Sequence, residues 1–344
     1  MADGLLLLGC GAFGRVHLRA LATLGRGGEV VVHDPDPAMR AAAAAEFPGL
    51  RFAASVEEGL ARCAAAIVAT PVPTHAALAE AVLRAGRDLF LEKPAVETAA
   101  EAERLAALAR ERGRVAQVGL YFRFHPKARA LRRFVLRGLF GPLHCLAARF
   151  SGLKRARGDS GALLNDAVHF ADLLPWLAGL RVTGVFAQLA DPLGRGREDL
   201  ALIQLRFAGG AIGFIEAGCV LPGRWPDAVV PGAETRKEVI LAGRDALAEI
   251  DFAAETFVLR RGRHRPAGNG AWLPEHGPRE AVGVPAADPV RVVAAELSRF
   301  LACVALRRTP EADLHAGAVL PARLLDAARR SAQEGRMVSL EEAG

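Results

Sequence analysis

Short, uninterrupted apolar runs alternate with helically periodic segments through the first third of the chain. Leu5 to Leu8, Val30 to His33, Ala64 to Ala69, Asp88 to Leu91 and Val115 to Val118 read as strands buried on both faces, which is the pattern of a parallel sheet. Between the first two, Phe13, Val16, Ala20, Leu21 and Leu24 recur at helical spacing, and Gly25 to Gly28 end the segment. Thr74 is placed to cap a second helix running to Ala85 before Gly86. Thr98-Ala99-Ala100-Glu101 is a capping box for a third, which ends near Arg112. The alternation predicts an α/β domain with a doubly wound parallel sheet over residues 1–120.

Beyond it the pattern changes. Pro126 to Arg137 is a basic amphipathic helix, Leu143 to Phe150 a strand, and strand-like runs follow at 182–189, 200–207, 211–218, 238–241, 247–251 and 256–259. Gly209-Gly210 between two of these signals a hairpin, so neighbours are antiparallel. The Gly-, Pro- and charge-rich stretch from Gly262 to Asp288 reads as a long surface loop, and helices near 290–307 and 315–334 follow. Residues 121–344 are therefore expected to form a second, α+β domain.

The candidate chemistry sits at the joints of this pattern. Gly9-Cys10-Gly11-Ala12-Phe13-Gly14 follows the first strand and enters a helix. In that context Gly9 permits the tight turn, Gly11 lets a pyrophosphate approach the amides at the helix N-terminus, and Gly14 allows close helix-to-strand packing. Asp34 closes the second strand, where a carboxylate can bond the adenosine ribose or merely open a turn with Pro35. With Asp36 beside it, NAD(H) is favoured; Arg40 keeps NADP(H) as the alternative.

Thr70-Pro71 opens a rigid loop ending at His75, a residue that either touches cofactor or faces solvent. Glu92-Lys93-Pro94 lies at the end of another strand. Of 44 basic residues only Lys93, Lys127, Lys154 and Lys237 are lysine, and lysine, unlike arginine, can take part in proton traffic. Farther on, Gly161 to Asp172 forms a helix that Ser160 can cap, with Asp166 and His169 three apart on one face and Pro175 expected to kink or end it. Oxidising a carbinol needs a base titrating near neutrality, and His169 fits that role. Lys93 would stabilise the developing alkoxide and Asp166 would orient substrate hydroxyls and the lysine.

Composition removes other classes. A net charge of +6 is spread over scattered arginines with no basic run interleaved with aromatics, which argues against nucleic acid. The five cysteines are widely spaced without a C-x-x-C pair, which points to a reducing cytoplasm and away from a structural metal. Leu5 to Leu8 before Gly9-Cys10 lacks the basic flank and length of a secretion signal, and no stretch is long and apolar enough to span a bilayer, so a soluble protein is expected.

Gly9-x-Gly11-x-x-Gly14 with His17 following, Thr70-Pro71 through His75, Glu92-Lys93-Pro94, Gly119-x-Tyr121-x-Arg123-Phe124-x-Pro126 and Gly161 through Asp172 together resemble the glucose-fructose oxidoreductase, inositol dehydrogenase and rhizopine-catabolism (Gfo/Idh/MocA) family over nearly the whole length. The resemblance implies a Rossmann domain followed by a domain with a large, mostly antiparallel open sheet, and substrate held over the nicotinamide. It implies cofactor contacts from Gly9, Gly11, Ala12, Phe13, Gly14, Asp34, Thr70, Pro71, His75, Glu92 and Lys93. Substrate contacts are expected from Lys93, Tyr121, Arg123, Arg157, Asp166 and His169, with no metal. Whether Lys93 or His169 carries the proton stays open. So does the role of Arg149, Lys154, Arg155 and Arg157, which either receive an anionic group or form a solvated basic face. The implied activity is an NAD-dependent dehydrogenase or reductase acting on a sugar, cyclitol or nucleotide-sugar. A silent sugar or NAD sensor and a redox-neutral enzyme using bound NAD are the alternatives. A homodimer or homotetramer is expected by the same resemblance.

Overall fold

In the computed structural model, which describes residues 4–227 and 232–340, the glycine turn and the apolar runs around it build a parallel sheet. Its elements are β1 (Gly4–Leu8), α1 (Ala12–Thr23), β2 (Val30–His33), α2 (Pro37–Glu46), β3 (Arg51–Phe52), α3 (Val56–Arg62), β4 (Cys63–Val68), α4 (His75–Arg84), β5 (Asp88–Glu92), α5 (Ala99–Glu111), β6 (Ala116–Gly119) and α6 (Tyr121–Phe124). The strand order β3-β2-β1-β4-β5-β6 reverses direction between β1 and β4. In such sheets ligands bind beyond the carboxyl ends of the strands at that reversal.

The continuous apolar runs serve two cores at once, because alternate side chains of a strand point to opposite faces. Leu6, Leu8, Ala66, Val68, Leu89 and Leu91 feed one core, and Leu5, Leu7, Ala65, Ile67 and Phe90 the other. Burying each of the large side chains contributes about 1.5–3 kcal/mol. The Thr98 box forms as expected, with the Thr98 hydroxyl accepting from the Glu101 amide and the Glu101 carboxylate accepting from the Thr98 amide. Thr74 does not cap α4: its hydroxyl donates within the preceding turn, toward Thr70 Oγ1 and the Pro71 carbonyl.

The second unit contains α7 (Pro126–Leu136), β7 (Leu143–Ser151), α8 (Val168–Ala178), β8 (Val182–Ala190), β9 (Leu200–Phe207), β10 (Ile212–Gly218), β11 (Trp225–Pro226), β12 (Glu234–Gly243), β13 (Ala246–Asp251), β14 (Thr256–Pro266) and β15 (Trp272–Ala281). After these come α9 (Pro289–Leu306), α10 (Leu320–Glu334) and β16 (Val338–Ser339). A ten-stranded sheet runs β15-β14-β13-β12-β7-β10-β9-β8-β16, with β11 paired to β12. Among the described pairs in it only β7 and β10 are parallel. The Gly209-Gly210 hairpin is present, both residues having φ near +90° (86° and 89°).

Two expectations change and one, for Pro175, narrows. The stretch 262–288 is not one loop, because β14 continues to Pro266 and turns back into β15. Its composition misleads because β15 is the edge strand and β14 beyond Arg261 pairs with it alone, so main-chain pairing and the cross-strand ion pairs of Arg263 and Arg265 with Glu275 hold the two without a buried face. Pro175 lies inside α8, which continues to Ala178 and stops at Gly179 in the left-handed region. Ser160 does not cap the helix it precedes. Glu198 does so from a distant loop, its main-chain and side-chain oxygens accepting from the amides of Ala162 and Leu163.

The chain divides by contacts into residues up to Phe124 with Asp288–Ala322, and His125–Ala287 with the segment from Arg323 onward. This differs from a single boundary at 120, because α9 returns to the Rossmann unit. Val293, Leu297 and Phe300 enter its core, Gln117 donates to the Glu296 carbonyl, and Arg307 pairs with Asp88.

Candidate active site

The carboxyl edge of the first sheet carries most of the expected cofactor residues. Gly9 has φ +89°, and a Cβ there would lie 2.7 Å from the Ala69 carbonyl oxygen. A Cβ on Gly14 would lie 2.2 Å from the Gly9 carbonyl oxygen, so the turn and the helix touch main chain to main chain. Gly11 is different. Its φ is −61°, and a Cβ there would meet nothing within 4 Å. Neither backbone conformation nor packing demands glycine at Gly11, and the space it leaves lies at the N-terminus of α1, which has no side-chain cap and no acidic residue in its first turn. Free amides and a positive helix end suit a diphosphate. A Gly11→Ala variant is expected to weaken NAD binding about tenfold or more, roughly 1.4 kcal/mol, with an unchanged melting temperature; fluorescence titration and thermal unfolding measure the two separately.

Asp34 ends β2 with its carboxylate fixed by the amides of Cys10 at 2.8 Å and Asp36 at 2.9 Å, leaving further lone pairs for ribose hydroxyls. Burial and the neighbouring Asp34 push the Cys10 thiol up to about 12, so it is no nucleophile. Arg40 donates to the carbonyls of Asp34 and Pro35. Its guanidinium is engaged there by main chain.

His75 is buried rather than solvent-facing, its two ring nitrogens lying 2.9 Å from the Pro94 carbonyl oxygen and 2.8 Å from that of Thr70. Burial pushes its pKa below the ordinary value. As a neutral imidazole it donates its single N–H to one of these two carbonyls and packs against the other, between the Thr70-Pro71 loop and Pro94. Glu92, 6% exposed, accepts the Lys93 amide on one oxygen and faces His17 Nε2 with the other. Tyr121 packs partly buried against the same core as Phe90, its ring edge-on to Phe122. Arg123 is 5% exposed and donates to the carbonyls of Glu311 and Ala316. The structure thus gives Arg123 an anchoring role in the fold of the first unit.

The second unit gathers its own group around the Phe150 ring at the end of β7. His169 stacks at 5.3 Å between ring centroids, Lys154 Nζ lies 4.1 Å from the Phe150 centroid and Lys237 Nζ 5.1 Å. Lys154 pairs with Asp166 at 2.6 Å and Lys237 with Asp227 at 2.7 Å. Asp166 is 2% exposed and also accepts from the Asn165 amide group. A π-helical turn over Leu163–Ala167 leads into α8, and of residues 161–170 only Asn165 and His169, four apart, are not buried. The accessible face is thus Asn165 with His169, while Asp166 stands behind it. Arg157 is bound by both oxygens of Asp159, which holds that carboxyl down at about 2.

Phe150, Asn165 and Lys237 are the members of this group that sequence reasoning missed, and Lys154, whose role it left open, pairs with Asp166. The i, i+4 spacing of Asn165 and His169 was the available signal for one of them. Among the described residues no group of three or more His, Cys, Asp or Glu could hold a metal ion, and no helix is long and apolar enough to cross a membrane.

Comparison with known proteins fits both units. Residues 4–120 match the family model described as oxidoreductase family, NAD-binding Rossmann fold, and residues 128–240 match the GFO/IDH/MocA C-terminal domain. The chain belongs to the GFO/IDH/MocA oxidoreductase family. Its first unit is accordingly an NAD-binding Rossmann fold. Among relatives of this GFO/IDH/MocA protein, UDP-N-acetylglucosamine 3-dehydrogenase of Acidithiobacillus ferrooxidans is 29% identical, covering 90% of this chain and 91% of that one. An inositol 2-dehydrogenase of Leifsonia xyli subsp. xyli is 34% identical, over 58% of this chain and 61% of its own. The solved structure of GenD2 from gentamicin A biosynthesis, in complex with NAD, superposes with a TM-score of 0.80 at 25% identity, covering 99% of this chain and 97% of that one.

Proposed function

We propose that this protein is an NAD(H)-dependent oxidoreductase that interconverts a secondary alcohol and a ketone on a sugar, cyclitol or nucleotide-linked sugar. One observation carries the reading: the open turn at Gly11, the fixed carboxylate of Asp34, the Thr70 loop and Lys93 all stand at the carboxyl edge of one parallel sheet, at strand ends β1, β2, β4 and β5. That edge is where such sheets take a dinucleotide, and Lys93 is the proton-competent side chain delivered to it. The relatives, acting on inositol and on a UDP-linked amino sugar by their names, support the substrate range.

Bound NAD supplies the hydride acceptor. Lys93 would then donate a hydrogen bond to the reacting oxygen and stabilise negative charge developing there. In the second unit, His169, partly exposed and resting on Phe150, is the imidazole suited to accept a proton. Asp166, paired with Lys154 at 2.6 Å, would orient this face together with Asn165. Because Lys154, Lys237 and Arg157 are each neutralised by a carboxylate, the ring bearing the reacting carbon is expected to be uncharged.

The test offers purified protein with NAD, and separately NADP, a panel of sugars, inositols, sugar acids and UDP-sugars, and follows nicotinamide absorbance. Turnover of an uncharged ring establishes the reading. Tight NAD binding with silence across the panel, in both reaction directions, would overturn it.

A further inference from the structure

His17 follows the glycine turn, is fully buried on α1, and has no part in the chemistry above. Its Nε2 lies 2.8 Å from Glu92 Oε1, whereas Nδ1 has no hydrogen-bond partner among the described residues. An ionised carboxylate only accepts, so Nε2 carries the proton and donates it to Glu92. The rings of Phe13 and Phe90 meet the imidazole edge-on, with centroids 5.4 and 5.5 Å away, and leave it one polar bond.

Glu92 is lodged from three sides. β5 and β6 pair Glu92 with Gly119, and a Cβ on Gly119 would fall 2.6 Å from Glu92 Oε1, so the absence of a side chain there makes the room the carboxylate occupies. The other oxygen accepts the Lys93 amide at 3.1 Å. On the far side of Lys93, the Pro94 carbonyl faces His75. The main chain of Lys93 is therefore held through Glu92, and the residue after it lies against His75.

We propose that His17 is a positioning residue for Lys93, acting through Glu92: its Nε2–H holds a buried carboxylate aimed at the Lys93 amide, which fixes the lysine's main chain. The inference rests on the reading that Lys93 serves the reacting oxygen. The charged or titratable groups around Glu92 are His17 from α1, His75 from α4 and Lys93 itself, while β6 presents Gly119. Without the His17 donor the Glu92 carboxylate keeps one main-chain donor in a buried site, turns away from the Lys93 amide and releases the lysine's main chain.

The scarcity of lysine makes this measurable apart from activity. Competitive acetylation at a fixed, mildly alkaline pH, read by peptide mass spectrometry, reports Lys93 beside Lys127, Lys154 and Lys237 as internal standards. In His17→Leu, Lys93 is expected to label about threefold faster or more as its main chain opens locally, while the other three stay unchanged. His17→Gln, whose Nε2 reaches a similar point, should restore the wild-type rate. Unchanged Lys93 labelling in His17→Leu overturns the proposal.

If all four lysines accelerate, the variant has unfolded, and Gly119→Ala decides, since it displaces the same carboxylate from the opposite side. Faster Lys93 labelling alone supports the proposal, and no change overturns it. Where substrate turnover is found, His17→Leu should lower kcat with the KM for NAD unchanged, and full kcat refutes the positioning role while leaving the function intact. A responsive Lys93 in a protein silent toward every substrate would instead sink the dehydrogenase reading and keep the positioning one.

Discussion

Replacing Lys93 with alanine is expected to lower kcat for carbinol oxidation by about 10²–10⁴-fold, the range of a positioned acid–base or oxyanion group. Cofactor binding should survive, because the turn at Gly11 and the carboxylate of Asp34 sit on β1 and β2 rather than β5. The two measurements together separate chemistry from binding. Steady-state rates on the best substrate of the panel should collapse, and fluorescence titration with NAD should return a Kd within about threefold of wild type, under 1 kcal/mol. Loss of both in equal measure would mean that Lys93 acts through the cofactor pocket, and an unchanged kcat would remove it from the mechanism. Lys93→Arg should not rescue, since a guanidinium stays charged and spreads its donors over a plane.

The largest expected effect on stability lies in the second unit, at Lys127. This lysine is 1% exposed at the start of α7 and pairs with Glu255, whose main chain has φ +55° on the turn between β13 and β14. His125 completes the trio. Its Nδ1 accepts the Lys127 amide at 3.3 Å, so its Nε2–H donates to Glu255 Oε1 at 3.2 Å. Lys127→Met keeps the stem volume and leaves Glu255, 25% exposed, with His125 but without its ammonium partner, which costs about 1–3 kcal/mol. Chemical denaturation should show the loss, and the double variant with Glu255→Gln should recover part of it, because the stranded charge is then gone.

The same trio carries a pH signature. Burial, opposed by Glu255, pushes His125 below its ordinary value, so the unfolded chain binds the extra proton first. The contribution of His125 is therefore complete above about pH 6.5 and declines as the pH falls below that, a slope that His125→Gln should flatten.

Much of this was legible before folding. The strand and helix alternation of the first 120 residues, the Thr98 capping box and the glycine turn are local patterns, and each depends on neighbours a few residues away. The roles of Gly9 and Gly14 are visible for the same reason: a turn between a strand and a helix needs a left-handed residue and a close approach wherever it occurs. Lysine scarcity likewise marked Lys93 from composition alone.

What tertiary structure decided is partnership. Nothing in the spacing of Arg123 shows that its guanidinium would be taken by carbonyls at Glu311 and Ala316, or that α9 would rejoin the first unit. A helix cap supplied by Glu198, 35 residues after Leu163, is equally invisible to a rule that searches the preceding residue. Asp166 and His169 were chosen by type and spacing, yet burial assigned Asp166 to Lys154 and left Asn165 beside His169 on the open face. Short-range periodicity and turn chemistry determine which elements form, because those energies are summed over adjacent residues. Which charge is neutralised, and which side chain stays accessible, depends on contacts between segments far apart in the chain, and only the folded sheet and its covering helices bring those segments together.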